Sequence, residues 1–231
     1  MTTNDHASRL AELEADNARL RRLLDKSDAP GELRHRLNST LAMLRVIIQK
    51  SAETKRDLPD YVAHLEDRLE AIARAQHAAD ARGGVDLQGL LSEELLYYNI
   101  LDGDQLSLEG PLVLLEPRAG QVLALAIHEL AVNAIEHGPF ASGAGALSVR
   151  WSVDDASAEE PVLTIDWEEG GRIKSEEPGF RGFGTEVLTR TLAYELNAVT
   201  TLSYMPEGFR CRISFPMEKR FGRIMRAEGD G

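Results

Sequence analysis

The sequence predicts an α+β protein, with helical segments in the first third of the chain and a layered α+β sandwich in the rest. Up to about residue 82, apolar residues recur three or four positions apart, as they do along one face of a helix. From residue 85 to about residue 217, helical spacing is mixed with strand-like alternation, without the regular strand–helix–strand order of a parallel sheet. Hydrophobic residues make up 43% of the 231 residues, which is enough for a packed core.

Residues 1–28 are predicted to form a coiled-coil helix. Four leucines and one asparagine fall on heptad positions a and d, namely Leu10, Leu13, Asn17, Leu20 and Leu24. A single Asn at a buried a position fixes the register of a parallel two-stranded coiled coil. The alternative is a solvated amphipathic helix that packs on its own chain. Pro30 and Gly31 then end or kink the helix.

Residues 29–84 are predicted to form a helical hairpin that dimerises. Each helix carries one apolar stripe, with Leu33, Leu37, Leu41, Leu44 and Ile48 on the first and Tyr61, Val62, Leu65, Leu69, Ile72 and Ala73 on the second. Two helices with one apolar face each cannot bury those faces completely, so we expect a four-helix bundle in a homodimer. Gly83 and Gly84 end the hairpin and mark a domain boundary.

Residues 85–217 are expected to form the sandwich, as a single domain. The patterns predict helices at 87–96, 121–136 and 185–197, two short strands within 106–115, strands at 147–153 and 162–167, and a hairpin of strands at 199–204 and 209–215. Residues 218–231 are expected to be a charged, frayed tail.

The bulk composition excludes some classes of function. The formal net charge of −12 argues against nucleic acid as a partner, because such a surface needs a basic face to displace counterions. No apolar run approaches the ~20 residues that span a bilayer, so direct membrane insertion is not expected. Cys211 is the only cysteine, and it lies in a strand-like alternation where a small buried residue is expected. These features favour the cytoplasm.

A histidine lies beside the apolar stripe of the first hairpin helix, in the segment Glu32-Leu33-Arg34-His35-Arg36-Leu37. His35 is off the stripe, so its imidazole is expected to point away from the bundle, and imidazole is a good nucleophile near neutral pH. The segment is similar to the H-box of the HWE (His-Trp-Glu) histidine kinases. This resemblance implies that His35 accepts a phosphoryl group.

The strongest motif is His128-Glu129-Leu130-Ala131-Val132-Asn133-Ala134-Ile135-Glu136-His137-Gly138. Glu129, Asn133 and His137 are spaced so that they share one helix face. A carboxylate and an amide on one face suit a Mg²⁺ ion that keeps most of its waters and bridges nucleotide phosphates. The motif resembles the N-box of the ATPase fold shared by histidine kinases, gyrases and Hsp90-type chaperones. It implies a sandwich of that type, with ATP and Mg²⁺ as cofactors.

Two glycine-containing segments complete the resemblance. Trp167-Glu168-Glu169-Gly170-Gly171 resembles the Trp-x-Glu and glycine-box segment, and His128 completes the three-letter signature. The resemblance implies that Glu169 accepts the adenine amino group and that Gly171 lies in the nucleotide site. Gly182-Phe183-Gly184-Thr185 resembles the second glycine box, in which backbone N–H groups at a helix N-terminus approach phosphate oxygens. The short connection between these segments contains Arg172, Lys174 and Arg181, further candidates for phosphate contacts.

Across residues 32–217, the resemblance implies an ATP-dependent protein histidine kinase. Such an enzyme would phosphorylate His35 and pass the phosphoryl group to an aspartate in the receiver domain of a response regulator. His128 and Glu129 are the candidates for the base. About 30 residues precede the hairpin, too few for a sensor domain, so the input is expected through the coiled coil or from a separate sensor protein.

The alternative is a non-catalytic histidine phosphotransfer protein with a degenerate ATPase-like domain. Asn38 and Ser39 stand where the H-box usually has Lys and Asn, and the first glycine box is one residue short. The Glu129/Asn133 pair and the second glycine box argue against this reading, because a relay protein has no use for them. A serine kinase of the anti-sigma type is a weaker third reading, since those proteins lack the upstream hairpin.

Overall fold

The fold is described from a computed structural model, which covers residues 31, 40–41, 43–49, 51, 57–100, 105–142, 145–154, 161–170 and 182–225. The chain divides into two compact units, Met1–Lys50 and Ser51–Gly231. Within the covered ranges, no helix is both long enough and apolar enough to cross a membrane. The predicted coiled coil, and therefore its heptad pairing, falls outside the described residues.

In the first unit, residues 43–49 are helical. Met43 and Ile47, one turn apart, are buried, whereas Leu41, Val46 and Ile48 expose more than 40% of their surface. The predicted stripe through Leu41 and Ile48 is therefore not the buried face of this helix in a single chain. A four-helix bundle is not confirmed.

The second unit begins with the long helix α1, Leu58–Arg82. Asp57 caps its N-terminus, because the side chain accepts a hydrogen bond from the backbone N–H of Asp60 at 3.0 Å. Gly83 ends the helix in the left-handed conformation (φ 68°), which glycine adopts without steric cost. The predicted helix end at Gly83 is thus confirmed.

The buried face of α1 is not the leucine stripe that the sequence suggested. Its buried residues are Arg68, Ala71, Ile72, Ala75 and Ala79, whereas Val62 and Ala73 are exposed and Tyr61, Leu65 and Leu69 are only partly buried. The face that is buried within the chain is rich in alanine, because alanines allow the closest approach between helices. Of the predicted stripe only Ile72 is buried in a single chain, and the dimer that would cover the rest stays a prediction.

Helix α2 spans Leu87–Tyr97 and helix α3 spans Pro117–Glu136. Every residue from 119 to 131 of α3 is buried, so this helix is the centre of the helical layer. Helix α1 runs antiparallel beside it, because Gln76 near the end of α1 bonds Gln121 near the start of α3 (2.6 Å), while His64 lies 3.6 Å from Glu136. Helix α2 packs on α3 as well.

A five-stranded sheet forms the second layer, in the order β2-β4-β5-β7-β6. Its strands are β2 (Leu106–Glu109), β4 (Ala146–Asp154), β5 (Val162–Gly170), β6 (Val199–Met205) and β7 (Gly208–Pro216). Strands β2 and β4 are parallel, and every other neighbouring pair is antiparallel. The mixed sheet beside a helical layer confirms the predicted α+β class.

The two faces of this sheet differ because side chains alternate along each strand. The inner face carries the buried row Val149, Trp167 and Cys211, aligned by strand register. The outer face is polar, and Asp166 pairs there with Arg212 across β5 and β7 (2.7 Å). Ion pairs at such exposed positions add little stability, so the inner face holds the sheet in place.

A second sheet has the order β1-β3-β8. Its strands are β1 (Val85–Asp86), β3 (Val113–Leu115) and β8 (Gly222–Ile224), all antiparallel. Phe221 is buried next to β8. The expectation of a frayed tail is therefore wrong for residues 222–224, because an edge of β3 is available to pair with them.

The last helical stretch begins with helix α4 (Phe183–Glu186), passes through a π-helical turn (Val187–Thr191) and ends with helix α5 (Leu192–Leu196). It covers the helix that the sequence placed at 185–197. The predicted strands of the sandwich are likewise found within one to three residues of their expected ends.

Candidate functional site

The N-box residues lie on the last turns of α3. Glu129 is buried, whereas Asn133 and His137 are exposed. Their four-residue spacing places all three on one side of the helix, as predicted. Leu130 and Ala134, each one position after a member of this set, are buried.

Gly184 brings the second glycine box against the N-box. A Cβ placed on Gly184 would lie 3.0 Å from Glu129 Oε2 and 3.3 Å from Asn133 Nδ2. A side chain at this position would therefore press against Glu129 and Asn133. Carboxylate and amide oxygens are ligands that Mg²⁺ accepts together with nucleotide phosphates, so this donor set fits a Mg·nucleotide. Gly182 and Thr185 flank the same helix start.

Arg68 of α1 binds Glu129 with both arms of its guanidinium. Arg68 Nε lies 2.6 Å from Glu129 Oε1, and Nη2 lies 3.2 Å from Oε2. The third nitrogen, Nη1, donates to Ser51 Oγ at 2.9 Å, and the guanidinium carbon lies 3.9 Å from the centre of the Phe183 ring. Arg68 therefore contacts the N-box and the second glycine box at once.

His128 is held by a separate chain of polar contacts. Its Nδ1 lies 2.9 Å from Glu94 Oε1 and 3.1 Å from the Tyr98 hydroxyl, and Glu94 is also bound by Arg74 at 2.5 Å. Because a carboxylate can only accept, Nδ1 carries the hydrogen, and Nε2 is the nitrogen left for any role as a base. Burial raises the pKa of the Tyr98 hydroxyl, so it stays protonated.

Glu169 lies at the end of β5 on the inner face of the sheet. Its carboxylate accepts a hydrogen bond from Trp167 Nε1 at 2.9 Å. A Cβ placed on Gly138 would come within 2.7 Å of Glu169 Oε2, so the strand end meets the C-terminal end of α3. The Trp and Glu of the signature therefore contact each other directly. Burial raises the pKa of Glu169 to about 7, although the bond from Trp167 partly offsets this.

This raised pKa predicts a pH-dependent stability. Relative to its ordinary value of 4.5, the folded state holds the Glu169 proton more tightly. The protonated Glu169 side chain therefore contributes to the free energy of unfolding at low pH, and this contribution is lost as the pH rises from about 4.5 to about 7. Glu169→Gln is neutral at every pH, so we expect it to match the wild type at pH 4.5 and to exceed it by about 3 kcal/mol at pH 8.

Denaturant unfolding across that pH range measures the effect. The control is Glu168→Gln, at the neighbouring position on the outer face, which should keep the wild-type dependence. This prediction would be contradicted if the free energy of unfolding changed with pH in the same way in the wild type and in Glu169→Gln.

A cleft of about 400 Å³ opens at the strand ends of the larger sheet. Its lining includes Gln105, Ser148, Glu169, Gly170, Glu207 and Arg210. Of the predicted site residues that the structure describes, only Glu169 lines it, and Glu129, Asn133 and Gly184 are not among the lining residues.

The chain is similar to known proteins. Residues 32–112 match the family model described as HWE histidine kinase. The predicted resemblance to the HWE histidine kinases is confirmed. The matched range includes α1 and α2, which supply Arg68 and Glu94.

Two curated relatives and one solved structure show the extent of the similarity. The chain is 28% identical over 195 residues to blue-light-activated histidine kinase 1 of Erythrobacter litoralis, covering 81% of this chain and 52% of that protein. It is 24% identical over 188 residues to a blue-light-activated histidine kinase of Brucella ovis, covering 80% and 38%. The chain therefore spans about half the length of these relatives or less.

The solved histidine kinase domain of the Erythrobacter litoralis EL346 blue-light-activated kinase has a similar fold. It superposes with a TM-score of 0.55 at 17% identity, covering 79% of this chain and 96% of that one. This likeness shows the fold alone, an α+β arrangement of the same type.

The structure places some of the predicted site residues and not others. It brings Glu129, Asn133 and Gly184 together and puts Glu169 against Gly138. His35, Gly171 and the three basic residues of the short connection lie outside the described residues. Sequence reasoning missed Arg68, Glu94 and Arg74. A signal for the first did exist, because Arg68 precedes Ala71, Ala75 and Ala79 by three, seven and eleven positions and so shares their face.

Proposed function

We propose that this chain is the kinase core of an ATP-dependent protein histidine kinase that phosphorylates His35 and passes the phosphoryl group to an aspartate of a response regulator. The observation that carries the proposal is the close approach of Gly184 to Glu129 and Asn133, which unites the two nucleotide-binding motifs. The similarity to named histidine kinases supports the same activity.

In the proposed reaction, an imidazole nitrogen of His35 attacks the γ-phosphorus of ATP, the bond to the β–γ bridging oxygen breaks, and ADP leaves. Asn133 and Glu129 would hold Mg²⁺, which supplies neutralisation of the phosphate charge when bound. Glu169 would accept the adenine amino group beside Gly138. Backbone N–H groups near Gly182, Gly184 and Thr185 would stabilise the anionic phosphates.

Incubation of the purified chain with radiolabelled ATP and Mg²⁺ tests the activity. We expect a protein-bound label that is lost in acid and stable in base, as a phosphoramidate is. A chain that takes no label from ATP but accepts it from a phosphorylated receiver domain would instead be the phosphotransfer protein considered above. A base-labile, acid-stable label would indicate phosphoserine.

We also propose the domain division 1–28, 29–84, 85–217 and 218–231, with a homodimer formed through the hairpin. The exposed apolar side chains of the two hairpin segments support a partner surface, since Leu41 and Ile48 are 47% exposed and Leu58 is 72% exposed in one chain. The input would come through the coiled coil or a separate sensor protein.

Deletion of residues 1–28 is expected to weaken dimerisation about tenfold without abolishing it, because the hairpin holds the larger apolar area. Light scattering at micromolar concentration measures the mass of both forms. Replacement of Leu41 and Ile48 together by Ser is the matched variant in the hairpin and should weaken the dimer more. A full-length monomer at that concentration would contradict the dimer.

A further inference from the structure

Glu129 is proposed to bind the Mg²⁺ ion of the nucleotide, but its carboxylate already forms an ion pair with Arg68. Arg68 contacts both of its oxygens, and the two side chains expose only 8% and 6% of their surface. A guanidinium placed this way occupies the side of the carboxylate that a cation would need. Arg68 and a Mg²⁺ bound by Glu129 therefore compete for the same oxygens.

The other contacts of Arg68 fix it in this competing position. Ser51 accepts a hydrogen bond from Nη1, and the guanidinium carbon lies over the Phe183 ring. All three nitrogens of the guanidinium have hydrogen-bond partners. The ion pair with Glu129 is therefore expected to persist unless α1 moves or a cation that binds Glu129 more strongly displaces Arg68.

The contact also connects two separate elements of the chain. Arg68 belongs to α1, whereas Glu129 and Phe183 belong to the motifs that are proposed to bind the nucleotide. The ion pair thus joins α1 to these motifs within the second unit of the chain.

We propose that Arg68 is an intramolecular competitor of Mg²⁺ at Glu129, which keeps the site in a low-affinity state until α1 shifts and withdraws the guanidinium. The inference rests on the proposed function, because it assigns a regulator to the Mg·ATP site of that function. It adds that Arg68, through α1, sets how tightly Mg·ATP binds.

The test measures binding of a non-hydrolysable ATP analogue to the full chain by calorimetry, with Mg²⁺ and with EDTA. Arg68→Gln removes the competing charge and should bind the Mg·analogue about tenfold more tightly than the wild type. With EDTA the gain should fall to about twofold or less, because it arises at a metal ligand. Circular dichroism confirms that the variant is folded.

Gln76→Ala is the matched control. Gln76 also joins α1 to α3, because its Oε1 accepts a hydrogen bond from Gln121 Nε2 at 2.6 Å, but Gln121 is not an N-box residue. The affinity of this variant for the Mg·analogue should stay within about twofold of the wild type. An equal gain in Gln76→Ala would show that any loosening of α1 suffices and would overturn the assignment to Arg68.

If Arg68→Gln does not fold, Arg68→Lys decides, because lysine keeps the charge but cannot bind both oxygens in the fork geometry of arginine. We expect it to tighten binding about threefold. Unchanged or weaker binding in a folded Arg68 variant would overturn the inference while leaving the proposed function in place. If neither the wild type nor a folded variant binds the analogue, the nucleotide site of the proposed function is itself wrong.

Hydrogen exchange on the wild type gives an independent readout that needs no substitution. The Mg·analogue should speed exchange in α1 around Arg68 by displacing it from Glu129. Slower or unchanged exchange there, with the analogue bound, would contradict the displacement.

Discussion

A His35→Gln variant is expected to take no label from ATP, at least a 100-fold loss against the wild type, while binding the nucleotide with unchanged affinity. The reason is that glutamine has no nucleophilic ring nitrogen, whereas the nucleotide cluster at Glu129 and Asn133 is built from another part of the chain. Labelling by gel autoradiography and affinity by calorimetry separate the two effects.

The other histidines provide matched controls. His64 and His77 lie on α1 and His137 is exposed beside the N-box, but none has an H-box around it. His77→Gln should retain wild-type labelling. Label that survives in His35→Gln would refute the assignment of the acceptor, and mass spectrometry after mild digestion would then identify the residue that carries it.

Asn133→Ala is expected to lower autophosphorylation about 100-fold, the order of effect seen when one electrostatic group of an active site is removed. Asn133 is exposed on α3 and lies next to Gly184, so its amide is available to a metal or a phosphate. The stability should change by only about 0.5 kcal/mol, because the side chain is exposed and alanine favours a helix.

Initial rates of labelling and thermal unfolding measure these two quantities. Gln88→Ala removes an exposed amide from α2 and serves as the control, with rates close to those of the wild type. Wild-type labelling in Asn133→Ala would remove the N-box assignment. A loss of both labelling and stability would mean that Asn133 supports the fold instead.

Most of the fold could be predicted from the sequence because its signals are local. Strands β4, β5 and β7 alternate between buried and more exposed positions, since one face of the sheet is buried and the other is polar. Helix α3 was recognised from its length and apolar content. Strand β8 could not be predicted in this way, because three residues with one buried position have no periodicity, and only the edge of β3 gives them a partner.

The motifs of the site were predictable for a similar reason, since spacing within a single helix fixes a shared face. The partners of those motifs were not. The pairing of Arg68 with Glu129 joins residues 61 positions apart, and Glu94 reaches His128 across 34. Such contacts depend on how helices pack, and the apolar stripe of α1 does not coincide with the face that is buried within the chain.

The alanine face of α1 has a mechanical consequence. Ala71, Ala75 and Ala79 have no side-chain rotamers, so the seam that they form against α3 cannot absorb a small displacement by repacking. A displacement of α1 along α3 would therefore carry Arg68 with the rest of the helix. A bulkier side chain at Ala75 would hold α1 away from α3 even without a signal.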